Sequence, residues 1–423
     1  MELKKYKLGE LIDVTRGMSL SGKFYSETGT LVRLTLGNFN INGGGFKENT
    51  SKTDIYFNGY VKDEYILNEG DIITPLTEQS LGLLGTTAII PESGKYIQSQ
   101  DVALIKCKEG KIDPNFCYYL ISSNIVRQQL SAAAQQTKIR HTSPDKIKDC
   151  TVWAPNLENQ KKIGRILTDI DSKIAVNRQI NDNLEAMAKQ LYDYWFVQFD
   201  FPNKESKPYK SSGGKMVWNE KLKREIPEGW EVDVLNNWLE IRSGFPFKSE
   251  TYLTHGRYKI ITIKNVQDGE LLTSDCDFVD EIPLRAKDYI SLQIGDRLIS
   301  LTGNCGRLCV VCEDNLLLNQ RVGLLYCDKI YLEYLYNYLN SRPMRMIVDN
   351  LANGAAQANL SPVELCNTLC AMPQENTILE YNRKANAIRQ IMVQNNQEIA
   401  SLTKQRDELL PLLMNGQVSV NSD

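Results

Sequence analysis

The amino-acid sequence contains two copies of one pattern, and this duplication constrains the fold more than any other feature. Matching residues in the C-terminal part of each copy are separated by the same 218 positions. They are Ser143 and Ser361, Pro155 and Pro373, Asn177 and Asn395, and Leu184 and Leu402. Upstream the separation drifts to 225 positions, between Gly70 and Gly295, so the copies differ by insertions there. Solenoid repeats are only about 20 to 50 residues long, so a repeat of this length indicates duplicated domains.

Each copy begins with short strand-like runs separated by turn residues, which predicts an α+β globule. In the first copy the runs are 31–36, 71–74, 87–90 and 102–107, and Asp113-Pro114 then begins a helix over 115–129. In the second copy the runs are 258–264, 297–302, 308–311 and 322–326, followed by a helix near 332–339. Two such globules agree with the two to three domains that 423 residues allow.

A long helical pattern follows each globule. In the first copy the 3-4 spacing selects Ile163, Ile166, Ile170, Lys173, Asn177, Ile180, Leu184, Met187, Leu191 and Tyr194. In the second copy it selects Tyr381, Lys384, Ile388, Ile391, Asn395, Glu398, Leu402, Gln405, Leu409 and Leu412. Neither stripe is fully apolar, so we predict that the two helices pack on each other as a coiled coil.

These patterns divide the chain into five segments. The globules occupy residues 1–155 and 229–373, and the long helices occupy 156–198 and 374–416. The connector, 199–228, is rich in proline, glycine, serine and lysine, which predicts an exposed and largely irregular linker.

Composition indicates an ordinary globular protein without a membrane span. The formal net charge is −3, whereas a non-specific nucleic-acid binder is usually basic, so any DNA contact must rest on local patches. Ten scattered cysteines, without an export signal, indicate reduced thiols and a cytoplasmic protein. Cys305, Cys309 and Cys312 leave a zinc site open as an alternative to buried core cysteines.

Four segments resemble one known family. The linker and its flank, 199–230, are similar to the central region of type I restriction–modification specificity subunits. The segments 139–144 and 357–362 resemble the boundary between recognition domain and conserved helix, and 318–322 resembles part of a recognition domain. The resemblance extends over essentially the whole chain.

The resemblance implies two target-recognition domains related by a pseudo-two-fold axis, with the two helices as an antiparallel coiled-coil spacer. Each domain would then read one half of a bipartite DNA target. The implied partners are two methylation subunits, which dock on the helices and methylate adenine with S-adenosylmethionine, and two restriction subunits in the full complex. In an antiparallel pair whose midpoints cross, we expect Asn177 and Asn395 to lie close together.

Catalytic motifs are absent from this sequence. The nearest match to an adenine methyltransferase motif, Asp113 to Phe116, lacks its second proline, and no glycine-rich cofactor loop is present. Asp101 with Glu109 and Lys111 has the residue types of a nuclease site, but at a spacing that is common by chance. We therefore predict a non-enzymatic chain that binds no cofactor itself. A DNA-binding protein that acts alone and a non-catalytic scaffold remain alternative interpretations.

Polar and basic residues near strand ends are the candidate DNA contacts, because arginine pairs well with guanine, and asparagine or glutamine with adenine. In the first copy they are Arg16, Lys23, Arg33, Asn38, Gln79, Ser80, Lys138 and Arg140. In the second copy they are Arg242, Lys248, Lys264, Asn265, Thr302, Asn304, Arg307, Gln320 and Arg321.

Overall fold

A computed structural model describes residues 2–40, 44–78, 82–133, 140–352 and 358–418. The chain forms two compact units. Unit 1 comprises Met1–Ile174 and Ala400–Asp423, and unit 2 comprises Ala175–Ile399. Both long helices therefore contribute residues to each unit.

Unit 1 contains a central antiparallel sheet with the strand order β2-β10-β6-β8 and a smaller sheet with the order β3-β5-β4-β9. Its strands are β1 (Lys4–Lys7), β2 (Ile12–Arg16), β3 (Tyr25–Ser26), β4 (Val32–Arg33), β5 (Tyr56–Phe57), β6 (Ile72–Pro75), β7 (Thr77–Glu78), β8 (Ala88–Ile89), β9 (Tyr96–Ile97), β10 (Val102–Cys107), β11 (Arg140–His141) and β12 (Thr151–Ala154). Its helices before the long ones are α1 (Leu8–Leu11), α2 (Pro114–Ser122), α3 (Asn124–Ala133) and α4 (Pro144–Lys148).

Strand β10 shows why this sequence forms a layered domain. Its side chains alternate between the two faces of the sheet, as in any strand. Ala103 and Ile105 join the core beneath helices α2 and α3, whereas Val102 and Leu104 join the core shared with the smaller sheet. Because both faces are covered, β10 reads as a nearly continuous apolar run, and its predicted bounds, 102–107, are confirmed.

Unit 2 has the same topology, with the orders β16-β23-β20-β21 and β18-β17-β22-β19. Its strands are β13 (Met216–Asn219), β14 (Arg224–Pro227), β15 (Glu231–Val234), β16 (Glu240–Ser243), β17 (Tyr258–Ile261), β18 (Asp277–Val279), β19 (Ser291–Leu292), β20 (Arg297–Ser300), β21 (Leu308–Val310), β22 (Leu316–Leu318), β23 (Val322–Tyr326) and β24 (Leu369–Met372). Its shorter helices are α6 (Leu332–Asn340), α7 (Arg342–Leu351) and α8 (Pro362–Cys366).

The predicted α+β class is confirmed, with two β-rich domains and two long helices that pack together. The long helices are α5 (Leu157–Tyr192) and α9 (Glu375–Met414). They run antiparallel wherever they touch: in unit 2 Asn177 donates to Glu398 and Arg389 donates to Glu185, and in unit 1 Arg406 donates to Asp171.

One half of the predicted seam is wrong by one residue in both helices. The predicted Ile180 and Met187 of α5 are 40% and 55% exposed, and the buried positions are the next residues, Asn181 and Ala188. In α9 the predicted Ile391 is 46% exposed, and Met392 is buried instead. A seam with steps of three then four residues and a seam with steps of four then three share one position in each heptad. Apolar residues lie on both sides of that shared position, so the sequence alone does not select between the two seams.

The shared positions of the seam fit better. None of them is exposed. Two are buried, Ile163 and Leu402. The others are half-buried: Ile170, Asn177, Leu184 and Leu191 in the first copy, and Ile388, Asn395 and Leu409 in the second. Ile163 packs into the unit 1 core, beside Phe116 and Leu167.

The predicted contact between Asn177 and Asn395 is also wrong. Asn395 donates to Asn181 over 2.9 Å, and Asn181 donates to Asn396 over 2.8 Å, whereas Asn177 reaches Glu398. In an antiparallel pair, equivalent positions of the two copies face each other only at the crossing point, and they move apart on either side of it. Asn177 and Asn395 lie just before that point on their own helices, so each faces a residue beyond it on the other.

The linker is more ordered than predicted. Phe199 and Phe201 are buried in the unit 2 core and contact the ring of Trp230, and Tyr209 stacks on Phe201. Strands β13 and β14 then form a hairpin. The prediction of an exposed and largely irregular linker is therefore wrong for these residues, because buried aromatic side chains and a hairpin fix the backbone.

One other prediction needs correction, and one alternative can be examined. The helix predicted over 115–129 is two helices separated at Ser123, although Asp113 caps the first as expected, by accepting from the backbone N–H of Phe116. The zinc alternative receives no support, because Cys309 is a buried strand residue. In the described part of the chain, no cluster of histidine, cysteine or acidic residues could hold a metal, and no helix is long and apolar enough to cross a membrane.

Candidate nucleic-acid interface

In unit 1, four chain segments meet at one end of the central sheet. The backbone N–H of Met18 donates to the carbonyl oxygen of Gln98 over 3.1 Å. The N–H of Leu76 donates to the carbonyl oxygen of Asp101, and the carbonyl oxygen of Leu76 accepts from the N–H of Thr142, each over 2.8 Å. Strand β11 also pairs with β7, so that His141 faces Thr77. We call this meeting of residues 16–18, 76–78, 99–101 and 140–142 the unit 1 loop junction.

Unit 2 repeats these three backbone hydrogen bonds at equivalent positions. The backbone N–H of Phe245 donates to the carbonyl oxygen of Leu318 over 2.9 Å. The N–H of Leu301 donates to the carbonyl oxygen of Arg321 over 3.0 Å, and the carbonyl oxygen of Leu301 accepts from the N–H of Leu360 over 2.8 Å. Residues 243–245, 301–304, 319–321 and 358–360 form this unit 2 loop junction. The same hydrogen bonds in both copies mean that the two junctions present equivalent positions to solvent on equivalent backbones.

A glycine is required at the same place in each junction. A Cβ atom on Gly17 would lie 2.2 Å from the carbonyl oxygen of Gln98, and one on Gly244 would lie 2.1 Å from that of Leu318. Backbone oxygens cannot give way at such distances, so any other residue would force the two segments apart. The glycines therefore hold the strand end and the neighbouring loop in contact.

Some predicted DNA contacts lie at these junctions with exposed side chains. They are Arg16 in unit 1 and Asn304, Gln320 and Arg321 in unit 2. Arg16 uses its Nε to donate to the carbonyl oxygen of Gln100 over 2.8 Å, which leaves its terminal nitrogens outward. Thr302 belongs to the same junction but is buried, and its hydroxyl donates to Asn359.

Arg140 also lies at a junction, but its guanidinium is already engaged. It lies 3.2 Å from the carboxylate of Glu78, which is only 2% exposed, and it donates to the carbonyl oxygen of Ser131. The other carboxylate oxygen of Glu78 accepts the backbone N–H groups of Gly82, Leu83 and Leu84. Arg140 therefore neutralises a buried acid that shapes the loop after β7.

Other predicted contacts are structural. Asn38 and Asn265 are each 2% exposed, and each accepts the backbone N–H of a residue three positions earlier, Thr35 or Thr262. Arg33 is 6% exposed, pairs with Asp54 and covers the ring of Tyr25. Because these three side chains are buried and bonded to neighbouring protein groups, this structure does not present them to a base edge.

The remaining predicted residues lie away from the junctions or are held by neighbours. Arg242 pairs with Glu240, which raises the pKa of the guanidinium, and lies over the ring of Tyr326. Arg307 reaches Gln267, and Lys264 lies near Asp277. Lys23 and Lys248 are exposed in equivalent turns before the smaller sheets. Gln79, Ser80 and Lys138 lie outside the described residues.

Sequence reasoning missed Gln100, and it considered Asp101 only as a nuclease residue. Gln100 is the exposed counterpart of Gln320, because the residues before them, Ser99 and Asn319, form the same parallel bridge. Asp101 is the counterpart of Arg321, because each accepts the backbone N–H of the residue that follows β6 or β20. The signal was present in the duplication, since 97–104 aligns with 317–324, but the insertions upstream obscured that alignment.

Several known proteins are similar to this chain in sequence and in fold. The model of the family described as "Type I restriction modification DNA specificity domain" matches residues 1–186. The MjaIX specificity subunit of Methanocaldococcus jannaschii is 24% identical over 330 residues, which cover 74% of this chain and 71% of that protein. The HindI specificity subunit of Haemophilus influenzae is 23% identical over 376 residues, which cover 76% and 81%.

These comparisons support the predicted family, the type I restriction–modification specificity subunits, whose model covers residues 1–186. The fold of the chain is similar to the crystal structure of the S subunit of a type I restriction–modification system from M. genitalium, with a TM-score of 0.60 at 16% identity over 98% of this chain and 96% of that one. The matched family model describes a DNA specificity domain, and both relatives are specificity subunits of type I restriction enzymes. The predicted family is confirmed.

Proposed function

We propose that residues 1–155 and 229–373 of this specificity subunit are target-recognition domains, and that each reads one half of a bipartite DNA target. The observation that carries the proposal is the repeated loop junction, with the same three backbone hydrogen bonds and different exposed side chains in the two copies. Identical scaffolds favour equivalent docking on DNA, and different side chains favour different half-sites. Residues 199–228 would then link the copies, and 156–198 and 374–416 would be the conserved spacer helices.

The helices also dock two methylation subunits in this proposal. Its support is an apolar stripe on α5 and the turn after it, at positions that do not pair with α9. Val176, Ile180, Met187 and Tyr194 are between 39% and 55% exposed, and the last three recur every seven residues. A regularly spaced exposed stripe is typical of a surface that receives a partner helix. One partner on each copy would match the duplication.

The chemistry would belong to these partners. The methylation subunits would hold S-adenosylmethionine and methylate an adenine in each half-site, and two restriction subunits would complete the complex. We place the complex in the cytoplasm, with its DNA substrate, and the free state of all ten cysteines is compatible with a reducing compartment.

Genome-wide mapping of methylated adenine by long-read sequencing tests the reading of two half-sites. We expect one bipartite motif with a fixed spacer. Exchange of residues 1–150 for the corresponding domain of another specificity subunit should rewrite one half of that motif and leave the other half and the spacer unchanged. Changes in both halves would contradict independent recognition domains.

Co-purification with the methylation subunits tests the docking surface. We expect Met187→Glu to weaken association because it places a charge on the stripe. Ala186→Glu is the matched control: it adds the same charge at an exposed neighbouring position, about 100° around the helix. Equal effects of both variants, or of neither, would remove the stripe from the interface.

A further inference from the structure

We propose that two tripeptides, Ser99–Asp101 and Asn319–Arg321, are the base-reading elements of the two domains, and that their third residues make the half-sites differ. We call them the reading tips. This inference rests on the proposed function and names the residues that perform it. Gln100 would have the same role as Gln320, and Asp101 would take the place that Arg321 holds in the other domain.

Both tips have a rigid backbone. The first residue is buried in each case, with Ser99 9% exposed and Asn319 7% exposed, and the second is exposed. Parallel bridges join Ser99 to Met18 and Asn319 to Phe245, and the third residue accepts a backbone N–H from the neighbouring strand end. A backbone that is already fixed loses little entropy on binding, so only the side chains have to become ordered, which favours selective contacts.

The side chains of the tips are also available. Within the described ranges, Gln100, Asp101, Gln320 and Arg321 have no side-chain hydrogen bond or ion pair, in contrast to Arg140 and Arg242, whose guanidinium groups are engaged. The backbone N–H of Arg321 donates to the side-chain oxygen of Asn319 over 3.3 Å. The conformation of the tip is therefore held without a hydrogen bond from the Arg321 guanidinium. The tips thus carry free donors and acceptors at the point where the junction loops converge.

The residue types then indicate the bases. A glutamine amide matches the two major-groove positions of adenine, an arginine guanidinium matches those of guanine, and a carboxylate accepts from the amino group of cytosine. We therefore expect an adenine contact in both half-sites, from Gln100 and from Gln320. Beside it, Asp101 favours a cytosine in one half-site, and Arg321 favours a guanine in the other.

The test uses the whole specificity subunit assembled with its methylation subunits. The methylated motif of each variant is mapped in a host genome, and affinity is measured on duplexes that differ at one base pair. Arg321→Ala should make one base pair of one half-site degenerate, with a loss of discrimination of roughly tenfold to a hundredfold. Gln100→Ala and Asp101→Ala should relax only the other half-site.

Matched controls lie at the far ends of the same strands. Lys329 and Glu109 are exposed, and they follow β23 and β10 at the end opposite to the tips. Lys329→Ala and Glu109→Ala should leave the motif unchanged. Arg321→Lys keeps the charge but loses the planar fork, so it should also lose base discrimination.

Two results would overturn the inference. If Arg321→Ala weakens binding to all sequences alike and lowers the salt slope by about one, the residue contacts phosphate. If the tip variants leave both half-sites intact, the bases are read elsewhere. In either case a bipartite wild-type motif would keep the proposed function valid, whereas a motif without two halves would contradict that function itself.

Discussion

Replacement of Glu333 by glutamine should strongly destabilise unit 2, because Glu333 holds together a buried ionic network. Its carboxylate is 1% exposed and contacts two arginines that are each 3% exposed, Arg297 of β20 and Arg389 of α9. Arg389 also donates to Glu185 of α5 over 2.8 Å. The network therefore ties the central sheet, α6 and both long helices of this unit to one another.

The expected loss follows from the burial of these charges. Burial alone disfavours a charged guanidinium, but Tyr336, Glu333 and Glu185 outweigh it and raise the pKa of Arg389, so this residue stays protonated. Glu333→Gln keeps the shape and removes the negative charge, which leaves Arg297 without an anion. Loss of one partner of a buried ion pair costs about 3–5 kcal/mol, a large part of the roughly 5–15 kcal/mol that stabilises a domain.

Hydrogen–deuterium exchange followed by mass spectrometry measures this loss locally. A cost of about 3 kcal/mol should speed exchange of α6 and β20 amides by about a hundredfold, at 1.4 kcal/mol per factor of ten. Helix α2, which belongs to unit 1, is the internal control. Glu185→Gln should cost less, since Glu185 is 30% exposed. In the triple variant Arg297→Met, Glu333→Gln, Arg389→Met, much of the stability should return. Unchanged exchange in Glu333→Gln would refute the reasoning.

Three further predictions concern the helix seam, the unit 1 junction and the thiols. Replacement of both Asn181 and Asn395 by leucine should give an equally or more heat-stable protein with relaxed spacing between half-sites, because a polar pair in the seam fixes register at a cost in stability. Calorimetry measures the stability and motif mapping measures the spacing, and a large drop in Tm would contradict the prediction. Arg140→Ala should weaken binding to all duplexes alike, because it leaves Glu78 buried without its cation; addition of Glu78→Gln should recover part of the loss, and a change confined to one base pair would instead mean a base contact. A hydrogen bond with Cys117 lowers the pKa of the Cys107 thiol, whereas burial raises the pKa of the Cys150 thiol to about 11. At pH 8, Cys107 should therefore react faster with iodoacetamide than Cys150 does, and equal labelling of the two in mass spectrometry would contradict this order.

The sequence by itself determined the duplication, the class of each domain and the positions of the main elements. Strands β10 and β23 have the predicted bounds, and Asp113 caps its helix as expected. These features depend on local patterns, such as apolar runs between turns and a capping residue before a proline. Such patterns act within a few residues of each other and can be read without knowledge of the fold.

The tertiary structure decided which side of each long helix is buried and which polar residues face solvent. In the sequence Asn265 is as good a candidate for a DNA contact as Gln320, yet Asn265 is buried in its own turn and Gln320 is exposed. Arg140 and Glu78 are paired although they lie far apart in the chain, and Arg389 reaches Glu185 from another helix. A polar side chain is free or engaged according to partners brought close by folding, and the hydrophobic pattern along the chain does not encode those partners.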